Sequence, residues 1–108
     1  MILIYSTFAN KKEAQKVSEL LLKKKLIVCA TIIPSQSSYL WNGAITHAKE
    51  VICIMKTVKE KWLAAKKEIE KNHPYDIPCI LRIDAEANQA YEQWMKKETG
   101  SFSSNNFK

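Results

Sequence analysis

The stretch CATIIPSQSSYLWNGAITHAKEVICIMKT, residues 29–57, consists of two strand-like runs joined by the pair Asn42-Gly43. An Asn-Gly pair is the strongest short-range signal for a β-hairpin, because a type I′ turn needs positive φ at both central residues. The stretch therefore predicts one hairpin with arms of about a dozen residues, twice the usual strand length. The turn would pair Trp41 with Ala44, Tyr39 with Thr46 and Ile33 with Ile52.

The half of this hairpin that lies far from the turn is apolar at successive positions. Ile32 and Ile33 stand on one arm, and residues 51–55 stand on the other. Successive apolar residues are typical of a strand that is buried on both faces. Pro34 interrupts the first arm, and because proline has no amide to donate to a neighbouring strand, we expect a bulge or an edge position there.

The rest of the chain places this hairpin in the middle of a split β-α-β pattern. Capping boxes, in which a polar residue is followed three residues later by glutamate, mark two helix starts. The order is β-α-β-β-α-β with an added C-terminal helix, the ferredoxin-like arrangement of an α+β protein. We predict strands at 2–6, 27–41, 44–56 and 79–83, and helices that begin after Asn10, after Thr57 and near Ala87.

Length and composition are those of one globular domain. The 108 residues suffice for one hydrophobic core, so we assign residues 1–100 to a single domain and the patternless residues 101–108 to a loose C-terminal tail. The two glycines exclude the glycine-rich loops that hold phosphates or dinucleotides. Three cysteines without a C-x-x-C pair favour a reducing compartment, so the predicted location is the cytoplasm.

Charge and hydropathy argue against a membrane or a nucleic acid as a partner. The chain starts without a basic leader, and its longest apolar run is far too short to span a bilayer. The net charge of +6 suggests phosphate binding, but most lysines fall on the outer faces of two predicted helices, interleaved with glutamates. Such helices are typical of a solvated surface.

The predicted topology leaves one face of the sheet uncovered, because both crossover helices of a split β-α-β unit pack on the same side. An open face as apolar as the predicted strands 27–41 and 44–56 exceeds what soluble monomers usually expose. We therefore expect sheets of neighbouring chains to pack on one another. The long hairpin, with Tyr39 and Trp41 near its tip, is suited to reach another subunit.

Four motifs in this order resemble the CutA divalent-cation tolerance family, collinearly from Ile2 to about Lys96. They are Cys29-Ala-Thr-Ile-Ile-Pro34, Ser38-Tyr-Leu-Trp-Asn-Gly43, Glu50-Val51 through Lys56-Thr57, and His73-Pro-Tyr-Asp-Ile-Pro78. The resemblance implies a compact homotrimer of ferredoxin-like subunits, similar in architecture to PII signalling proteins. It also implies a role in tolerance of copper or other divalent cations, as a non-enzymatic binding or signalling scaffold.

The resemblance also implies a metal site, and this chain has only some of the residues that form it in the family. The family often has a cysteine where this chain has Ser6, an acidic residue where it has Cys79, and a second histidine where it has Asn72. His73 remains, and His73 with Cys79 is the nearest His/Cys pair in sequence, with ligand types suited to copper or zinc. We predict that any metal site centres on this pair. The alternative is that His73 ends a helix and Cys79 is a small buried apolar residue.

A second candidate site is a cleft between subunits lined by Tyr39, Trp41 and Tyr75. With Lys56 and nearby lysines, such a cleft would suit a small anionic ligand or a nucleotide, as in a PII-like sensor. The alternative is plain interface packing, since aromatic residues are enriched at interfaces. The carboxylates closest to these motifs, Glu50 and Asp76, are explained by capping a turn or by pairing with a lysine.

Two other function classes have weaker support. An enzyme is not indicated, because the sequence contains no recognisable trio of nucleophile, base and orienting residue. An RNA-recognition module would have the same order of strands and helices, but it needs exposed aromatic residues on its two central strands. The predicted first strand offers only Tyr5 and the third offers none, and the RNP1 pattern is absent.

Overall fold

The turn at Asn42-Gly43 closes the hairpin as predicted. The structure is a computed structural model and describes residues 1–100. Asn42 has φ of 50° and Gly43 has φ of 76°, the paired positive values that a type I′ turn requires. The elements are β1 (Ile2–Phe8), α1 (Lys11–Lys23), β2 (Cys29–Trp41), β3 (Ala44–Thr57), α2 (Trp62–Asn72), β4 (Ile80–Asp84) and α3 (Gln89–Glu98).

The four strands form one antiparallel sheet in the order β2-β3-β1-β4. This order confirms the predicted ferredoxin-like α+β fold. The register of β2 on β3 is the one that the turn predicts, with Trp41 opposite Ala44 and Ile33 opposite Ile52. Pro34 lies on β2, the edge strand, and the pairing runs past it without a bulge.

The core lies on one face of the sheet, beneath α1 and α2. Burial along β1 alternates strictly, and β3 alternates in the same way from Val51 to Thr57. The core joins alternate residues of β1 and β3 to the apolar stripes of the two helices. Its fully buried members include Ile2, Ile4, Phe8, Leu21, Cys53, Met55, Ala65 and Ile69.

The opposite face of the sheet is not covered by α1 or α2 and is only half-buried within one chain; α3 reaches it only at one end, where Tyr91 lies against Lys56. Ile52 and Ile54 of β3 lie on this face, each with a threonine on one neighbouring strand and an apolar or aromatic residue on the other. Leu81 is 49% exposed and Ile83 is 47% exposed. The strands that we predicted to be buried on both faces are therefore buried on one face by this chain alone.

The hairpin extends well past the rest of the sheet. β1 pairs with β3 only from Val51 to Thr57, so residues 35–50, here called the outer hairpin, form a ribbon of two strands. This ribbon makes the molecule long, with principal extents of 58 × 25 × 21 Å. Leu40 and Ile45 at its tip are more than 70% exposed.

Helix starts agree with the sequence prediction in one case and differ in another. Asn10 caps α1, and its side chain accepts a hydrogen bond of 2.9 Å from the amide of Glu13. The predicted cap at Thr57 is wrong, because Thr57 is the last residue of β3 and its side chain is fully buried. A short 3-10 turn, Lys59–Lys61, leads into α2 instead.

Two further observations concern predicted segments. Within residues 1–100, no helix is long and apolar enough to cross a membrane. The predicted loose tail, residues 101–108, lies outside the described part of the chain.

Candidate functional site

A groove opens on the uncovered side of the sheet, beside the outer hairpin. Tyr39 and Trp41 lie two residues apart on β2, so both side chains point to the same face. The loop between α2 and β4 brings Tyr75 to the same place. Together these aromatic rings line a groove of about 580 Å³, a volume within the usual range for small-ligand sites.

His73 fixes the loop that carries Tyr75. Pro74 cannot continue α2, so the helix ends at Asn72 and the chain turns away. The Nε2 atom of His73 lies 2.9 Å from the carbonyl oxygen of Thr7, and its Nδ1 atom accepts a hydrogen bond of 3.1 Å from the amide of Tyr75. Because Nδ1 accepts, Nε2 carries the proton and donates to Thr7. The loop is thereby tied to the end of β1.

The surroundings of His73 favour its neutral form. The ring is buried and stacks on Phe8, with centroids 4.3 Å apart and planes 14° apart. Burial lowers the pKa of His73, against the opposing effects of the bond to the Thr7 carbonyl and the charges of Glu13 and Glu50. His73 is therefore a neutral part of the framework behind the groove.

Tyr75 and Glu50 are joined by a short hydrogen bond in the groove. The Tyr75 hydroxyl donates a hydrogen bond of 2.6 Å to the Oε2 atom of Glu50. Burial raises the pKa of Tyr75, and the bond to Glu50 with the nearby charge raises it further. Tyr75 therefore stays a neutral phenol, and its bond holds the Glu50 carboxylate in place at the groove wall.

The groove is acidic, although the chain as a whole carries +6. Glu50 and Asp76 both line it, and among residues 1–100 no lysine or arginine does. Among the described residues, neither carboxylate lies within salt-bridge distance of a basic group. The earlier interpretation that these carboxylates pair with lysines therefore does not hold within one chain.

The structure brings together most, but not all, of the predicted cleft residues. Tyr39, Trp41 and Tyr75 meet in the groove, as does Cys79. Lys56 does not, because its Nζ atom lies 5.6 Å from the ring centroid of Tyr91, near the start of α3. Glu50 could have been assigned to this face of the hairpin, because the predicted register puts it opposite Ser35, on the face of Tyr39 and Trp41. The sequence offers no such signal for Asp76.

The predicted metal ligands are engaged in other bonds. Both ring nitrogens of His73 are used, as described above. The Ser6 hydroxyl is buried and donates to the carbonyl oxygen of Cys79 at 2.7 Å, and the Asn72 side chain donates to the carbonyl oxygen of Glu68 at 2.8 Å. The Cys79 thiol is exposed.

The described part of a single chain does not assemble a closed site for a divalent cation. Across residues 1–100, no three His, Cys, Asp or Glu side chains are grouped so that they could hold a metal ion. Cys53 is buried at the core, and burial raises the pKa of its thiol, which disfavours the thiolate that a metal binds. Cys29 is half-buried on β2. The described residues of one chain therefore do not by themselves fit a resident metal.

Comparison with protein families matches residues 2–98 to the model of the CutA1 divalent ion tolerance protein. Among curated proteins, the chain is 42% identical to the divalent-cation tolerance protein CutA of Pyrococcus horikoshii, over 92% of this chain and 98% of that protein. It is 38% identical to the protein of the same name from Thermotoga maritima, over 90% of this chain and 97% of that protein.

Solved structures agree with the sequence comparison. The crystal structure of CutA1 from Pyrococcus horikoshii matches with a TM-score of 0.88 at 40% identity, covering 91% of this chain and 97% of that one. The structure of the periplasmic divalent cation tolerance protein CutA from Archaeoglobus fulgidus matches with a TM-score of 0.88 at 34% identity, covering 92% and 99%.

Proposed function

Because the chain belongs to the CutA1 divalent ion tolerance family, we propose that it serves divalent-cation tolerance as a non-enzymatic scaffold that works as a homotrimer. The observation that carries the proposal is the uncovered face of the sheet. Apolar residues of all four strands stand half-exposed there, including Ile33, Ile54 and Leu81. A face of this kind marks a protein–protein contact.

The outer hairpin supports self-association independently. A ribbon of two strands is marginally stable alone in water. Here the ribbon also exposes large apolar side chains on both of its faces, Leu40 and Ile45 on one and Trp41 on the other. Packing against a neighbouring copy would cover them. The number three comes from the resemblance to the family.

A scaffold rather than an enzyme is favoured by the state of the two histidines. His73 has both ring nitrogens occupied. His47 forms a hydrogen bond of 2.8 Å with the Ser38 hydroxyl, but this pair is exposed on the outer hairpin. No described carboxylate bonds to His47, so the orienting group of a catalytic triad is missing there.

We place the cation, copper or another divalent ion, where subunits meet. Residues 1–100 of one chain do not provide a closed site, so a neighbouring subunit would have to complete it. The exposed Cys79 thiol is the soft ligand that is free to take part. His73 as its companion stays a prediction, and binding there requires Nδ1 to release the Tyr75 amide. The three free thiols favour a cytoplasmic location.

The alternative of a PII-like sensor for an anionic ligand has less support. Within the described part of the chain, the groove is lined by two carboxylates and by no basic residue, and Lys56 lies elsewhere. Two fixed negative charges repel an anion in a partly enclosed groove.

The experiment measures first the assembly of the protein and then its cation binding. Sedimentation equilibrium at micromolar concentration should show a species of three chains, each of 12.4 kDa. Copper and zinc are then titrated calorimetrically into the parent and into Cys79→Ser, Ser6→Cys and His73→Ala. His47→Ala serves as the matched control for binding at an exposed histidine.

We expect Cys79→Ser to weaken copper binding and Ser6→Cys to strengthen it, because copper prefers thiolate to a hydroxyl. His47→Ala should leave the specific site unchanged. A monomer at micromolar concentration would contradict the assembly. Copper affinity that is equal in the parent, Cys79→Ser, Ser6→Cys and His73→Ala would contradict the cation site.

A further inference from the structure

The lysines of the chain are concentrated on one side of the molecule. Residues 11–25 and 59–71, which include α1 and α2, hold eleven lysines and five glutamates, and the rest of the sequence holds six basic and six acidic residues. The whole net charge of +6 therefore lies in these two segments. Both helices cover the core face of the sheet and contact each other, so their outward sides form one surface.

We call this outward side of α1 and α2 the lysine face. The helical period places its lysines opposite the buried stripes of the two helices. It carries five exposed lysines, which are Lys12, Lys16, Lys23, Lys67 and Lys71. Two exposed glutamates, Glu19 and Glu70, stand among them, so the face keeps an excess of positive charge.

The stability of the helices does not explain these lysines. Within residues 1–100, Lys24 is the only one of the eleven in an ion pair, with Glu68 at 2.9 Å. Lys12 stands in the first turn of α1, where a positive charge opposes the helix dipole. It also lies four residues before Lys16, and like charges at this spacing destabilise a helix. The arrangement is suited to a partner that supplies negative charge.

We propose that the lysine face docks an acidic, extended segment of another protein. Lysines four residues apart on a helix are about 6 Å apart, close to the step of about 6.6 Å between alternate side chains of an extended chain. Acidic residues at alternate positions can therefore pair with Lys12 and Lys16, or with Lys67 and Lys71. Leu63 is 70% exposed one turn before Lys67 and offers contact to an apolar side chain of the segment.

The lysine face fits an acidic protein segment better than a nucleic acid or a membrane. Sites for single-stranded nucleic acids combine lysines with aromatic rings that stack on the bases. The exposed aromatic side chains of residues 1–100, Tyr39, Trp41 and Trp94, lie outside α1 and α2. A helix that binds a bilayer inserts a broad apolar face. The exposed large apolar side chains of α1 and α2 are Leu22 and Leu63, which do not make such a face.

The proposed trimer leaves the lysine face open. The two helices cover the core side of the sheet, and the uncovered face that we assign to the contact between copies lies on the other side. An assembly of three chains would present the lysine face three times on its outer surface. A partner with several acidic segments would then gain affinity from binding more than one copy of the face.

The test uses two rhodamine-labelled peptides of about twelve residues, the length that spans one or two pairs of lysines in extended form. One has glutamate at alternate positions, with serines and one central leucine between them, and the other has glutamine in place of each glutamate. Each is titrated into the full-length protein as it assembles in solution, and fluorescence anisotropy measures binding. The acidic peptide should bind at least about tenfold more tightly, and its affinity should fall as salt rises from about 50 to 200 mM.

Substitutions locate the binding. Lys16→Gln combined with Lys67→Gln removes two charges from the lysine face and should weaken the acidic peptide about fivefold or more. Lys96→Gln combined with Lys97→Gln is the matched control, because it removes two exposed charges from α3, and affinity should change less than about twofold. Leu63→Ala should weaken the peptide that contains leucine and leave a leucine-free version unchanged.

The inference is overturned if the glutamine peptide binds as tightly as the acidic one, or if the two double variants weaken binding equally. It is also overturned if a thymidine oligonucleotide of equal charge, or vesicles of phosphatidylcholine and phosphatidylserine, bind more tightly than the acidic peptide. An unchanged affinity of Leu63→Ala for the leucine peptide would contradict the docking geometry. Sedimentation equilibrium of each variant measures assembly separately, so loss of the trimer and loss of docking are distinguished.

Discussion

His73 ties the loop before β4 to β1 only while its ring is neutral, because a protonated Nδ1 could not accept the Tyr75 amide. Burial lowers the pKa of His73, so the unfolded chain binds more protons than the folded one between the two pKa values. Stability from neutral His73 is complete above the unfolded value of about 6.5 and is lost as the pH falls through the folded value. We therefore expect the parent to unfold at a lower urea concentration at about pH 5 than at about pH 7.

The two histidines of the chain allow a matched comparison. His73→Gln should be less stable than the parent at pH 7 and should lose less stability on going to pH 5. His47→Gln removes an exposed ring and should follow the parent across the same range. If His73→Gln and the parent fall in parallel, the pH dependence belongs to other groups.

Tyr75→Phe removes the hydroxyl that bonds to Glu50 and leaves the ring in place. A hydrogen bond to a charged group contributes about 1.5–3 kcal/mol. Because both residues are partly exposed, we expect Tyr75→Phe to lower the free energy of unfolding by about 1 kcal/mol. Chemical unfolding at neutral pH measures it. Tyr91→Phe is the control, because its ring keeps the contact with Lys56, and its stability should stay within about 0.5 kcal/mol of the parent. An equal loss in both variants would contradict the special role of the Tyr75 hydroxyl.

At the scale of elements, the hairpin depends on backbone geometry at its turn. Gly43 has φ of 76° and no neighbour within 4 Å of an added Cβ, so Gly43→Ala meets strain from φ alone. The cost of a non-glycine residue there is about 1 kcal/mol. Hydrogen exchange should therefore speed up at the hairpin tip, residues 39–46.

Gly100→Ala provides the control for this change, because Gly100 also has positive φ, 70°, and open space around it. It lies just beyond α3, so its effect should stay near that helix end. Exchange at the hairpin tip that is equally fast in both variants would mean that the turn does not hold the ribbon together.

The hairpin was predictable to the residue, because one turn type fixes which residues face each other. The start of α2 was not. Thr57 followed by Glu60 fits a capping box, but packing of the Thr57 side chain into the core keeps this residue in β3. The end of β1 was also missed by two residues, since Phe8 extends the strand to pack against His73. Tertiary contacts decided both cases.

The site was predictable only in part for a similar reason. Alternation along β2 placed Tyr39 and Trp41 on one face, and the aromatic motif pointed to a cleft. Periodicity says nothing about where the loop before β4 travels, so the meeting of Tyr75 with Glu50 could not be derived. Lys56 is on the uncovered face as its register requires, but its side chain lies over the ring of Tyr91 in α3 instead of in the groove.

For the whole molecule, the proposed trimer predicts opposite outcomes for charges on the two sides of the sheet. Ile54→Asp introduces a carboxylate on the uncovered face, where burial against a second chain would strongly disfavour it. Leu63→Asp introduces the same group on α2, where the side chain is 70% exposed. We expect Ile54→Asp to dissociate to monomers in sedimentation equilibrium and Leu63→Asp to assemble as the parent does. A fully trimeric, soluble Ile54→Asp protein would contradict burial of this face.

The position of β1 in the sheet affects how the chain folds while it is being synthesised. Of the four strands of this sheet, β1 is synthesised first, yet it lies between β3 and β4, the fourth of them. The hairpin can zip from its own turn within about 10 μs once both arms exist. The second neighbour of β1 leaves the ribosome on the order of ten seconds after β1 itself. During that interval the nascent chain carries Ile2, Ile4 and Phe8 without the sheet that finally encloses them, so a chaperone that shields a newly made apolar strand would act on β1 early.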